Sequence, residues 1–459
     1  MVPQSKEGYF WNFEKNTAMK GLPTDAVKSD SNDVKSSYDV IVIGAGFTGL
    51  TAARDISLHG LSILILEARD RVGGRTWLAQ GKHDNYEMGG GWVHHLQPNT
   101  WTEMARYGLT TPKTSFKLGR DTSMNVGGVK QTMRGADDSF LHLAATFFNV
   151  DGYNGRLVLP QPHLPLYNRK GIREWDISVR ERIDQLNLSA TEKDLLAFWM
   201  GTVGLQEAHK LGFLSLLRLY ALSGYDFQRL LELSGVFKIP GGTTALANAM
   251  FSEFNGSALF NRKVKSIVSG SSRAQVYVED GEIFSADRVI CTVPINCLAD
   301  IEFSPPLPPS YTSIKHVNLG GKLHAHSADG STRFFGVDGP SKVACFGVAE
   351  SRSSTGGTNM VFFKSSREEN VDRSQLEILE EALRDLTAGG TQIGDIDEYL
   401  WHDWRHDEFS KGAWAVYGPG ALSGPLGDLM EDYADGWVGY IDGAVEQGRQ
   451  AARAVINNW

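Results

Sequence analysis

Gly44, Gly46 and Gly49 stand in the spacing G-x-G-x-x-G. That spacing has a defined chemical use. The first glycine permits a tight turn, the second lets bare backbone N–H groups approach a pyrophosphate, and the third lets a helix pack closely on a strand. Glu67 follows about twenty positions later, where a carboxylate accepts hydrogen bonds from ribose hydroxyls and repels a phosphorylated ribose. A dinucleotide site is therefore expected, with NAD and FAD sharing this much of it. Other constellations are weaker. His402 and His406 are four apart with Asp403 and Asp407 beside them, but no HExxH context or third ligand accompanies them, so no metal is assigned. His94 and His95 fit equally well as cavity-lining groups or as histidines satisfying backbone. The chain has no G-x-S-x-G elbow and no P-loop, which removes the common hydrolase and NTPase readings.

The glycines can act only between a strand and a helix. Residues 38–46 read YDVIVIGAG, a β-branched run closed by glycines; FTGLTAARDISLHG follows with helical spacing and Gly60 as its stop; LSILILE is a second strand ending at Glu67. Farther on, AQVYVED and RVICTVP read as strands, and the stretch from Leu188 to Leu222 reads as helical with a break between 201 and 204. Leu376, Leu379, Leu383 and Leu386 recur at helical spacing behind Ser374 and Glu377, a capping box, so an amphipathic core helix is expected over 374–386. Residues 1–37 are polar, with a Tyr9-Phe10-Trp11 knot that could dock on the body; a flexible tail is the expectation.

A chain of 459 residues, 41% of them hydrophobic, can bury two or three domain cores. Its net charge of -9 argues against nucleic acid, which demands clustered Lys and Arg, and suits a neutral or cationic small substrate. Cys291, Cys297 and Cys345 form no CxxC pair, so a disulfide framework is not expected and a reducing compartment is. No apolar run reaches the ~20 residues of a spanning helix, no secretory h-region opens the sequence, no Arg precedes Arg54 as a transit peptide would require, and the INNW ending is not a peroxisomal address. A cytoplasmic location without a membrane span is the expectation, with homo-oligomerisation left open.

After Glu67 the chain reads ARDRVGGRTW, in which Arg69, Arg71, Gly73, Gly74 and Arg75 would place cations and bare backbone against the same phosphates. This stretch resembles the second FAD motif of glutathione-reductase-like flavoproteins and, more narrowly, of the flavin-containing amine oxidases. The resemblance covers nearly the whole chain from Tyr38 and is nearest in texture to fungal monoamine oxidases. In YEMGGGWVH, residues 87–91 match the segment that passes the flavin ring, placing Gly90, Gly91 and Trp92 beside the cofactor. Val264 of NRKVKSI matches the backbone that holds adenine, while PGGTTALANAM and ADRVICTVP match the turn, helix and return strand of the FAD domain. Lys322 of VNLGGKLHAH aligns with the lysine that holds a water at flavin N5, and Trp414 and Tyr440 align with the two walls of the family's aromatic cage. Ala413 stands where the mitochondrial enzymes carry a flavin-linking cysteine, so the resemblance implies non-covalent FAD.

The implied fold is α/β plus β: a discontinuous, Rossmann-type, glutathione-reductase-like FAD domain (38–113, 231–295 and 412–459) with a substrate domain inserted (114–230 and 296–411). The implied reaction moves a hydride from an amine α-carbon to flavin N5, giving an imine that water hydrolyses, with O2 reoxidising the flavin to release peroxide. Three alternatives share these residues to different degrees: an oxidative tailoring or ring-closing enzyme of nitrogenous secondary metabolism similar to β-cyclopiazonate dehydrogenase, a nicotinamide dehydrogenase, and an inactive protein that keeps the fold. The last is motivated by a departure from the family. Relatives place a strand and polar turn between the G-P-G loop and the W-x-G-Y helix, whereas here six residues, 431–436, separate Met430 from Trp437. Six extended residues span at most ~22 Å, too little for a turn and a paired strand. A neighbouring unpaired edge, a displaced final helix and weakened FAD binding are the expected consequences.

Overall fold

The computed structural model describes residues 2–110, 113–114, 123–126, 129–233, 235–270, 272–332, 335–337, 339–366, 375–387, 393–425 and 436–459. Strand Ser37–Ile43 is apolar on both sides: Val40 and Val42 enter one core cluster, Ile41 and Ile43 another. A strand buried on both faces belongs inside a parallel sheet. It pairs in parallel with Ile63–Leu66 on one edge and with Ile283–Cys291 on the other. Ser257–Leu259 extends the parallel part, and a meander of Ile283–Cys291, Ala274–Val278 and Val264–Ser269, with Glu302–Ser304 at its edge, completes seven strands. Helices Phe47–Ser57, Gly242–Glu253 and Ile441–Asn457 cover the Val40 face through Leu50, Leu246, Met250 and Val445.

A second sheet of nine strands carries Lys322 on its buried strand Gly321–Ser327, flanked by Thr358–Lys364 and Ile396–His402. The predicted helical stretch breaks as expected: Ala190–Gly204 ends at Leu205 in the left-handed conformation (φ 49), and Phe213–Leu222 begins after a loop. Its core is aromatic, with Phe148 stacked 4.2 Å from Tyr220. The leucine-spaced helix spans Gln375–Thr387 and buries Leu379 against the nine-stranded sheet; Ser374 lies outside the described residues.

The N-terminal residues are not a flexible tail. Tyr9–Asn12 pairs antiparallel with Ile396–His402, Thr17–Lys20 pairs with Tyr9–Asn12, Tyr9 stacks 5.4 Å from Trp401, and Trp11 is buried. Local composition suggested disorder because the partners lie far along the chain. The Glu7 carboxylate adds an ionic tie: it accepts from Arg71 Nε at 2.6 Å and from Arg69 Nη1. Burial alone would raise the Glu7 carboxyl, but Arg71 and Arg69 override it and hold it below its usual value.

The shortened segment, 431–436, lies outside the described residues except for Gly436. In the seven-stranded sheet, residues 288–291 bond to Ser37–Ile43 on one edge, and no described strand pairs with their other edge. The final helix starts at Ile441, and it is firmly seated. A Cβ on Gly448 would stand 2.5 Å from the Thr48 carbonyl oxygen, and Asp442 accepts the Thr100 N–H at 2.8 Å.

Glu7→Ala strands the fully buried Arg71 and is expected to cost about 3 kcal/mol, the range for breaking one side of a buried pair. Because the folded pKa is depressed, this contribution is present above the unfolded carboxylate range and is lost as pH falls through the folded value. Denaturant titration of both proteins at neutral and acid pH checks it; a difference that does not shrink in acid contradicts the assignment.

Candidate active site

The glycine turn is built as its spacing requires. Gly44 has φ +105, and a Cβ on it would meet Thr292 Oγ1 at 2.6 Å. A Cβ on Gly49 would stand 1.9 Å from the Gly44 carbonyl oxygen, so only glycine lets the helix lie this close to the strand. At Gly46 the nearest atom to a Cβ would be Gly74 Cα at 3.9 Å, which leaves bare backbone facing a cavity at the N-terminus of helix Phe47–Ser57. Glu67, buried at the end of its strand, accepts the N–H groups of Ala45 at 2.5 Å and Arg69 at 2.8 Å. Burial raises its carboxyl, against the lowering effect of those amides and of Arg69 and Arg71.

The cavity, about 1260 Å3, runs between the two sheets. It brings together Gly44, Gly46, Glu67, Arg69, Gly74, Arg75, Gly90, Gly91, Trp92, Val264, Lys322, Trp414 and Tyr440. Gly49 lies behind the turn and does not line it. Arg75 enters it with Nη1 donating to the Ala413 carbonyl at 2.7 Å. Arg69 lines it, but its guanidinium is committed to Asp407 at 2.6 and 2.9 Å and to Glu7; Arg71 is fully buried beneath and donates to Gly74 O at 2.8 Å. Arg69 and Arg71 are thus committed to carboxylates.

Lys322 reaches the cavity from the nine-stranded sheet. Its Nζ donates to Gly89 O at 2.9 Å and lies 4.4 Å from the centre of the Trp92 ring. Burial, then the nearby Lys238 charge, lower its pKa to about 7, with Glu350 and Glu87 opposing. Trp414 stands edge-on to Phe363, 6.2 Å between centres, and Tyr440 edge-on to Trp437 at 5.4 Å; burial pushes the Tyr440 phenol up to about 12. The remaining walls are largely apolar: Leu219, Leu230, Phe335, Phe346 and Val348, with Trp199 among them. Gln228 and Glu232 stand exposed at the helical end.

His94 and His95 do not line the cavity. His94 accepts the Leu96 N–H at 3.1 Å, and burial lowers its pKa to about 4. His402 bonds Asp407 at 2.8 Å and His406 bonds Asp403 at 2.8 Å, two separate pairs with Asp407 already held by Arg69. A group that sequence spacing could not reveal is His83, His326 and Asp397. The two rings stack at 3.7 Å and 12°, so their in-plane lone pairs run side by side instead of converging on one ion. Sequence reasoning also missed the buried His316 near Arg75 and the Lys238–Glu350 pair, 2.5 Å apart, because the partners of each lie more than a hundred residues apart in the chain.

Residues 47–456 match the flavin containing amine oxidoreductase family. The chain belongs to that family. It is 30% identical to a pseudooxynicotine dehydrogenase of Pseudomonas sp. over 92% of this chain and 86% of the relative, and 31% identical to a nicotine dehydrogenase of Pseudomonas putida over 91% and 88%. Among solved structures, putrescine oxidase bound to putrescine is similar with TM-score 0.74 and 24% identity, covering 92% of this chain and 99% of that one. The chain is thus a flavin-dependent amine oxidoreductase with the fold of the flavin amine oxidases, and FAD is its cofactor. No helix among the described residues is long and apolar enough to cross a membrane.

Glu67→Ala should weaken FAD retention by about 1–3 kcal/mol, the range for charge-assisted hydrogen bonds, read as the FAD dissociation constant. An unchanged constant removes Glu67 from the site.

Proposed function

We propose that this enzyme oxidises a neutral secondary or tertiary amine carrying a flat, apolar body, of the kind named for its nicotine-degrading relatives. The observation that carries this is the cavity wall: beyond Lys322 the substrate side is aliphatic and aromatic, with Glu232 exposed at the mouth. A diamine such as putrescine needs a second buried anion to hold its distal ammonium. Glu232 at the mouth suits initial capture of a cation, and the desolvated interior favours its neutral form.

In this reading Gly44, Gly46, Gly74 and Arg75 hold the pyrophosphate of FAD, Glu67 its ribose and Val264 its adenine, within a glutathione-reductase-like FAD domain bounded as the sequence suggests. Ala413 leaves that attachment non-covalent. Bound there, FAD supplies the two-electron acceptor for the amine α C–H, and O2 the route to reoxidation. Trp414 and Tyr440 orient the amine and exclude groups that need water. Lys322, largely able to shed its proton near neutral pH, holds or moves a proton at Nζ.

Acid precipitation should release FAD from the polypeptide; flavin left on the protein contradicts the non-covalent reading. Anaerobic stopped-flow with nicotine and with putrescine should show flavin reduction by nicotine at least tenfold faster, and peroxide should form on admitting air. Faster reduction by putrescine overturns the substrate class; reduction without peroxide overturns O2 as acceptor. Lys322→Met should slow one or both half-reactions while FAD stays bound. The wild-type rate should rise with pH through about 7 as Lys322 loses its proton, and that limb should vanish in the variant.

A further inference from the structure

Lys322 does not stand alone behind the Trp92 ring. Lys238 is the cross-strand partner of Trp92, so the sheet fixes its position, and its Nζ lies 5.5 Å from the ring centre against 4.4 Å for Lys322. Glu350, from strand Ala344–Arg352, holds Lys238 at 2.5 Å and is itself almost wholly buried. Two cations thus share one aromatic ring, and one anion is given to the farther of them. Such an arrangement is costly unless the charges serve each other.

The other titratable groups around Lys322 are accounted for. Glu87 accepts the Thr243 N–H and hydroxyl, each at 2.7 Å. His324, two residues along the same strand face, donates Nε2–H to Glu87 O at 2.8 Å and is kept neutral by burial, its pKa near 3. His402, opposite Lys322 on the adjoining strand, bonds to Asp407, and burial lowers its pKa too.

We propose that Lys238 and Glu350 are positioning residues for the proton on Lys322: the fixed charge of Lys238 across Trp92 disfavours a second cation there, and Glu350 limits how far. The inference rests on the reading of Lys322 as the proton-handling group. It separates from a merely structural staple by sign. Loss of Lys238 removes a like charge and exposes Glu350, so Lys322 must hold its proton to higher pH; loss of Glu350 leaves Lys238 uncompensated, so Lys322 must release it at lower pH.

The test is the titration of Lys322 in the FAD-loaded protein, followed by 13C NMR of lysine labelled at Cε and assigned with Lys322→Met. Lys238→Met should raise the midpoint by about one pH unit, Glu350→Gln should lower it, and Lys238→Arg, which keeps the charge, should restore it. If one single variant fails to fold, the double variant Lys238→Met/Glu350→Gln, which leaves no unpaired charge, should reverse the shift of the single variant that folds. Shifts of one sign in both singles, or no shift in any folded variant, overturn the proposal. The flavin-reduction pH profile is a separate readout. If the NMR midpoints move as stated and that profile does not follow them, the pair keeps its role and the placement of Lys322 in the reaction falls.

Discussion

The Arg69 guanidinium is buried beneath the cavity, and a buried cation persists only where anions and hydrogen bonds replace its water. Asp407 takes two of its N–H groups and Glu7 another, so neutralising one side chain brings the N-terminal hairpin and the loop after Ile396–His402 to the end of the second parallel strand. Arg71 shares Glu7 and braces Gly74 from below. The Arg69 backbone N–H in turn fixes Glu67, whose other oxygen fixes Ala45 inside the glycine turn. The shape of the glycine turn therefore depends on charges committed to partners elsewhere in the chain.

The two ends of the cavity are built on opposite principles. At the glycine turn, polar backbone is left bare because side chains are absent, and the helix N-terminus adds a favourable field for phosphate. At Lys322, polar groups are withdrawn instead: one carbonyl, two aromatic rings and a distant ion pair surround an amine whose charge has become expensive. A single cavity can thus hold a polyanion at one end and an uncharged amine at the other.

What was readable in the sequence follows the range of the interactions. The glycine turn, Glu67, the strand–helix–strand unit and the leucine-spaced helix are local, and each lies where spacing put it. Lys322, Trp414 and Tyr440 were found by resemblance, and the cavity does gather them. The errors came from long-range pairing. Glu7 and Trp11 look like tail residues until Arg71 and the nine-stranded sheet are present. His83 and His326 stack across a hairpin turn and a strand, so no spacing announces them.

The pairing of Tyr9 with Trp401 also constrains the order of events during synthesis. The strand Tyr9–Asn12 must wait for one made far later in the chain, because among the described residues its neighbours in the sheet are Ile396–His402 and its own hairpin mate. Contacts of such sequence separation form late and slowly. Until then Trp11 lacks the cover of Tyr399 and Trp401, and the hairpin stays apolar and half-formed. Closure of that hairpin onto Ile396–His402 is therefore a late step of assembly, and through Glu7 it is also the step that completes the charge balance around Arg69 and Arg71.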